Sequence, residues 1–304
     1  MLELAQASVR VARVLPERAG PRSLLTDLLA EAWMVLANAL RVNNRLKAAE
    51  AAFRRAQAVL DQGTGDGLLR AKLRALLGAL RTSQRRYPEA LDLFREAARV
   101  YEQLGETHLA AEATVAIGRA HQQAGNLRQA LRCLHAGLQQ VDTSRDGRLG
   151  LVTVQIIAHV LNDAGYPEDA VAALREAAPL FDLRPGDALL LRFQWLEGKL
   201  CAKLGREADA LQRLEAVRRA FLDLDLPLNA AVAALDLAAL RARRGEAWEV
   251  AALAAEMLPV FQHQEIHREA RLALLLFAGA AQAGRATAEA ITGWARQAES
   301  HLRS

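Results

Sequence analysis

Cysteine is nearly absent from this sequence. Cys133 and Cys201 lie far apart and neither begins a CxxC pair, which argues against a disulfide framework or a cysteine-based zinc site and suits a reducing cytoplasm. Aromatic residues make up only 5% while alanine recurs throughout, a balance that favours close-packed helices over sheets. An excess of one charge is also lacking. The 39 basic and 35 acidic residues are interspersed, with a net charge of +4, so no global field draws the chain to nucleic acid or an anionic membrane. The longest apolar block, LALLLFAGAA at 272–281, is about half the length a bilayer span requires. At the N-terminus, Glu3, Gln6 and Arg10 interrupt MLELAQASVRVARVL, unlike a signal peptide. A hydrophobic content of 52% is ample for a core, so disorder is not expected.

The familiar marks of catalysis are missing too. No GxSxG occurs. GTGDG at 63–67 lacks the Lys-Ser/Thr of a phosphate loop and reads as a connector. HQEIH at 263–267 spaces two histidines at i and i+4, but Gln264 stands where a metalloprotease needs glutamate, so it too reads as a connector. His135 and Cys133 fall on different sides of a helix and do not form a nucleophile pair. Neither a catalytic residue, a metal site nor a cofactor is expected.

What the sequence does contain is a period of 40 residues. Ala90, Ala130, Ala170, Ala210, Val250 and Ala290 align at that spacing, with Ala49 preceding them at 41. Four residues on stand Phe53, Phe94, Leu134, Leu174, Leu214, Ala254 and Trp294, and three further Ala56, Ala97, Gly137, Ala177, Val217 and Met257. Another step of four reaches Leu60, Tyr101, Val141, Phe181, Phe221 and Phe261. These offsets trace one face of a helix. Twelve residues before the alanine column lies a column of small residues, Ala37, Gly78, Gly118, Ala158, Gly198, Ala238 and Ala278, in a second helical pattern. Glycine costs about 1 kcal/mol against alanine inside a helix, so its recurrence predicts close approach by another backbone. Gly125, Gly165, Gly205 and Gly245 fall between the two helices and supply a tight turn. DQGTGDG, TSRDG and RPGD punctuate the connectors.

A small residue in the first helix, a turn glycine, then Tyr87, Ala90, Phe94 and Ala97 in the second resembles the tetratricopeptide repeat; Gly125, Leu127, Ala130 and Leu134 come close to it. The 40-residue period is similar to the long-helix variant found in bacterial MalT-like regulators and kinesin light chains. The resemblance implies an all-α fold, a right-handed α-solenoid of about seven helix-turn-helix repeats. Their bounds fall near 23–67, 68–107, 108–147, 148–187, 188–227, 228–267 and 268–304. Residues 1–22, with Leu2, Ala5, Val9 and Ala12 in one stripe before PERAGPR, read as an unpaired helix. It either caps the solenoid or continues from a longer protein.

In that family the first helices line a concave surface used for binding, which implies the same face here. One column along it, just after the small residues, is Asn38, Ala79, Arg119, His159, Lys199 and Ala239. A second, three before them, is Met34, Ala75, Val115, Gln155, Trp195 and Leu235. Repeats three to five thus offer Arg119, Gln122, Gln155, His159, Asn162, Arg192, Trp195, Lys199 and Lys203 as a candidate groove. Cations and amides beside an aromatic suit another protein, through an acidic or carboxylate-terminated peptide. Trp195 equally fits inter-repeat core, and His159 a satisfied helix residue. Lys199 and Lys203, one helical turn apart, repel unless something negative lies between them. RAKLRALLGALRTSQRR at 70–86, with six basic residues and no acid, is either a solvated face or a surface for an anion. Two functions follow from the resemblance: an adaptor that holds a peptide, or the sensory module of a regulator whose effector lies elsewhere.

Overall fold

The computed structural model describes residues 2–14, 21–142, 147–177, 188–261 and 268–299, and every regular element among them is a helix. These are α1 (Leu2–Arg13), α2 (Arg22–Val42), α3 (Leu46–Leu60), α4 (Gly67–Ser83), α5 (Tyr87–Gln103), α6 (Thr107–Gln123), α7 (Leu127–Gln140) and α8 (Gly147–Asp163). There follow α9 (Pro167–Ala177), α10 (Ala188–Lys203), α11 (Glu207–Asp223), α12 (Pro227–Arg243), α13 (Ala247–Phe261), α14 (Arg268–Gln282) and α15 (Ala288–Glu299). Two compact units divide the chain, Met1–Val160 and Leu161–Ser304. RPGD, HQEIH, Phe181 and most of TSRDG and PERAGPR lie outside the described residues, as does the side chain of Phe261.

In the first unit α2 pairs with α3, α4 with α5 and α6 with α7; in the second α10 pairs with α11 and α12 with α13. The second-helix columns are the core: Ala49, Ala90, Ala130, Ala170 and Ala210 are fully buried, and Phe53, Phe94, Leu134, Leu174 and Leu214 nearly so. The small column exists to receive them. A Cβ on Gly78 would lie 2.8 Å from the Phe94 ring, and one on Gly118 2.6 Å from Leu134 Cγ. At Gly198 the nearest atoms belong to Leu214, at 3.1 Å. The expected backbone approach is therefore chiefly a side-chain approach, each large residue lying over the small residue sixteen places earlier. Helix α1 packs on α2 through Ala5 and Val9, and Trp33 of α2 lies between the guanidinium groups of Arg13 and Arg55, at 5.0 and 5.1 Å.

The turn glycines all take left-handed backbone, with φ of 82° at Gly125, 88° at Gly165, 73° at Gly205 and 76° at Gly245. The same turn is made without glycine at Asn44 and Arg85, where φ is 56° and 60°. Left-handed backbone costs a non-glycine residue roughly 1–2 kcal/mol, part of which glycine returns through its freer unfolded chain. Arg85→Gly is expected to raise stability by about 0.5–1 kcal/mol in urea unfolding followed by circular dichroism.

By length and composition α2 could cross a membrane, which the sequence reading did not single out. It is a core helix of the first unit: Ala30, Trp33, Met34 and Ala37 are buried, and buried Asp27 accepts hydrogen bonds from the backbone N–H and the hydroxyl of Thr64. That carboxylate ties down the GTGDG connector, while Asp66 caps α4 by accepting from the Leu68 N–H at 2.7 Å.

The last helix departs from the period. The columns place Ala290 and Trp294 on the buried face, yet both are only half-buried, and Ile291, Ala295 and Ala298 are the buried residues of α15. The turn before α15 also differs: Gly284 takes the positive φ one place early, and Arg285, Ala286 and Thr287 precede the helix. This longer link lets α15 dock on α12, its most extensive partner. Residues 229–235 and 237–240 of α12 are consequently all buried, as expected of a helix enclosed on every side.

Candidate functional site

The nine candidate groove residues divide between the units: Arg119, Gln122, Gln155 and His159 in the first, Asn162, Arg192, Trp195, Lys199 and Lys203 in the second. In the second unit most of them are engaged internally. Trp195 is 6% exposed, sits edge-on to Phe221 with ring centroids 6.0 Å apart, and donates its indole N–H to Asp236 at 2.8 Å. Packing, not groove lining, describes it. Met34, Val115 and Leu235 of the same column are buried as well, while Ala75 and Gln155 are half-buried, so that column turns chiefly to the core.

Lys199 answers the question of what keeps two lysines on one turn. Its ammonium lies 2.9 Å from Glu299 of α15, 3.7 Å from Asp236 and 5.2 Å from the Trp195 ring centre. Lys203 donates to the side-chain carbonyl of Asn162 at 2.7 Å. Burial pushes the Asp236 carboxyl up, against the opposing pull of Lys199. The negative groups that satisfy Lys199 belong to the chain itself. Arg192 is exposed.

In the first unit the column just after the small residues stays open: Asn38, Ala79 and His159 are half-buried and Arg119 is exposed. Gln122 and Gln155 are half-buried beside it. The Arg119 pKa is nevertheless lowered, chiefly by loss of hydration, with Glu112 opposing. Sequence reasoning missed Arg41. It stands four residues after Ala37, the offset at which Gln122 follows Gly118, and the first repeat could have been searched at that offset. Arg41 donates from Nε to Asn38 at 3.0 Å and from Nη1 to the Ser83 hydroxyl at 3.4 Å. Its pKa is lowered by burial first and by the charge of Arg119 second.

The basic strip at 70–86 behaves otherwise. Lys72 meets Glu31 at 3.5 Å, Arg74 meets Glu96 at 2.9 Å, Arg81 meets Glu50 at 3.0 Å and Arg86 meets Glu89 at 2.7 Å. Acids on neighbouring helices neutralise most of it, leaving a solvated face. Among the described residues no three of His, Cys, Asp and Glu cluster as metal ligands would.

Residues 69–139, which span α4 to α7, match the tetratricopeptide repeat family. This chain has a tetratricopeptide-repeat fold. Solved structures with that fold agree at low sequence identity. The apo form of the quorum sensor NprR from B. thuringiensis is 17% identical, with a TM-score of 0.64 over 90% of this chain and 79% of that one. NprR in complex with its cognate peptide NprX is 16% identical, with a TM-score of 0.54 over 92% and 81%. A signal-transduction ATPase with numerous domains, which carries a tetratricopeptide repeat sensor and comes from Pyrococcus horikoshii, is 14% identical. Its TM-score is 0.68 over 98% of this chain and 47% of that one. Among curated proteins none matches the sequence.

Proposed function

We propose that this chain is a non-catalytic tetratricopeptide-repeat module that holds an extended, acidic peptide segment on its first-helix face, within a reducing compartment such as the cytoplasm. The observation that carries the reading is the open column of the first unit. Arg119 presents a guanidinium to solvent, with the half-buried Gln122, Gln155 and His159 on the first helices of the same unit, where repeats of this kind bind, while the equivalent Lys199 is held by Glu299 and Asp236. Amides can satisfy an extended peptide backbone and a guanidinium can take a carboxylate.

The proposed groove is accordingly that of Arg119, Gln122, Gln155 and His159 in the first unit; Asn162, Arg192 and Lys203 belong to the second. A sensory role is the second reading, favoured by two relatives of known structure: NprR, a quorum sensor solved with its cognate peptide, and an ATPase whose repeats form a sensor. Selecting random twelve-residue peptides against the immobilised chain tests the first reading. Enriched peptides should carry Asp or Glu, and Arg119→Glu should weaken their binding about tenfold or more while leaving the melting curve unchanged. Peptides without acids, or equal binding to the Arg119→Glu chain, would sink it. If binding also slows amide exchange in helices remote from Arg119, the sensor reading gains; exchange confined to the groove favours the adaptor.

A further inference from the structure

Fourteen large apolar side chains stand exposed among the described residues, and half of them belong to α1, to Val14 just beyond it and to α2. Single exposed leucines are normal, but a concentration at one end of a unit is not. These residues are also ordered along their helices. Leu4, Ala7, Val11 and Val14 follow at steps of three and four, so they form one stripe, turned away from the buried Ala5 and Val9. On α2, Leu28, Val35 and Val42 recur every seven residues, with Leu24 one turn before them. Each helix thus carries a second apolar seam besides the one that it buries within the unit.

The period explains why the seam of α2 is bare. Val35 stands two residues before the small column, and the residues at that place in α4, α6, α8, α10 and α12 are half-buried or buried. That place turns to the first helix of the preceding repeat, as Asp236 shows by meeting Trp195 and Lys199 of α10. No first helix precedes α2 in the array; α1, α3 and α4 are its helical neighbours. The similarly apolar α12 has four, α10, α11, α13 and α15, and is enclosed on every side. One more helix therefore fits against α2. No undescribed stretch within residues 1–304 exceeds the ten residues of 178–187, too few to supply it.

A helix of the required kind is already present at this end of the molecule. The outward stripe of α1 has the spacing of the α2 seam, and a second copy can lay its α1 there while its own α2 receives α1 of the first. Charge agrees with this pairing. Glu31 interrupts the α2 seam and remains half-exposed although Lys72 lies at 3.5 Å, whereas the exposed Arg10 flanks the α1 stripe beside Val11 and supplies the opposite sign. Side by side, helices of 12 and 21 residues offer a flat footprint of roughly 500 Å². The relief of projecting side chains raises the accessible area toward the ~800 Å² a side of a specific dimer. We propose that the chain forms a two-fold dimer in which α1 of each copy packs on the exposed seam of α2 in the other. This goes beyond peptide binding and does not depend on it.

Sedimentation equilibrium of the intact chain from about 1 to 100 μM tests the dimer, with Val11→Glu, Val35→Glu and the control Leu272→Glu on α14, where the leucine is equally exposed. The parent should fit a monomer and dimer in exchange, with no larger species. Each substitution enters a two-fold interface twice, so a loss of about tenfold per site becomes about a hundredfold in Kd for either valine variant. Leu272→Glu should leave Kd unchanged. The melting temperature should rise with concentration for the parent and stay constant for the valine variants. Should a glutamate reduce helical circular dichroism, Val11→Ser and Val35→Ser decide the matter, since they remove the contact without adding charge. A parent that stays monomeric over the whole range would overturn the proposal and leave the seam to a helix of another protein. So would a dimer that ignores both valines, one broken by Leu272→Glu instead, or a mass that keeps growing with concentration, which belongs to an open head-to-tail contact.

Discussion

Ile291→Ala will lower the unfolding free energy by about 2–4 kcal/mol, whereas Ala290→Gln will change it by less than about 1 kcal/mol. The 40-residue period points the other way, since it puts Ala290 in the buried alanine column and leaves Ile291 outside it. In the structure Ile291 is fully buried in the core that includes Leu235, Ala239, Phe277 and Ala298, while Ala290 is half-buried beside it. Truncating Ile291 removes three carbons from a packed interior and leaves a cavity, and both the transfer and the cavity contributions oppose the fold. Lengthening Ala290 lets an amide reach water. Urea unfolding of the two variants, followed by helical circular dichroism, ranks them. If Ala290→Gln proves the more damaging, α15 docks in the regular repeat position and not on α12.

That contrast marks where the sequence is legible. The columns from Ala49 to Val250 are a packing code, and the paired positions Gly78 with Phe94 and Gly118 with Leu134 show why it repeats: each large side chain needs a vacancy sixteen residues upstream. Helix pairing and the turn glycines follow from the same arithmetic. The docking of α15 does not, because Ile291, Ala295 and Ala298 announce an apolar face without saying which helix it will meet. Turn geometry at Asn44 and Arg85 was hidden for a related reason: a left-handed residue is obvious only when it is glycine.

Binding residues are harder still. The two first-helix columns look alike in sequence, yet Trp195 and Val115 face the core while Arg119 faces solvent. The four-residue shift between them crosses the boundary of the buried face. Lys199 was drawn toward a partner by its repulsion from Lys203, and the partner it has is Glu299, a hundred residues away and unreachable by any local pattern. Arg41 escaped because its partner Ser83 stands 42 positions further on, and a contact of that kind appears only once α2 and α4 are stacked.

Charge burial in the second unit gives the other large effect. Arg218 is 3% exposed, and its guanidinium meets Glu215 at 2.7 Å, Glu256 at 2.8 Å and the sulfur of Met257 at 3.3 Å. Glu215 also holds Arg219, at 2.8 Å. Glu215→Ala strands a buried cation on the mostly exposed Glu256, and the expected loss is about 2–3 kcal/mol. Arg218→Met fills the same space beside Met257 with an apolar chain, and is expected to be within about 1 kcal/mol of the parent. In the Arg218→Met background, Glu215→Ala should cost little, because no buried charge remains to be stranded. The coupling in this double-mutant cycle is the quantity to measure. Acid provides a second reading of the same contact. Burial raises the Glu215 carboxyl, but hydrogen bonds and charge from Arg218 and Arg219 outweigh it and hold the pKa below the usual value. A carboxylate depressed in the folded state adds stability that is complete above its unfolded pKa and is lost as pH falls through the folded one. The parent chain should therefore lose more stability than the Arg218→Met, Glu215→Ala chain when acidified across the carboxylate range. Equal acid sensitivity of the two, or additive losses in the cycle, would mean that Glu256 alone neutralises Arg218.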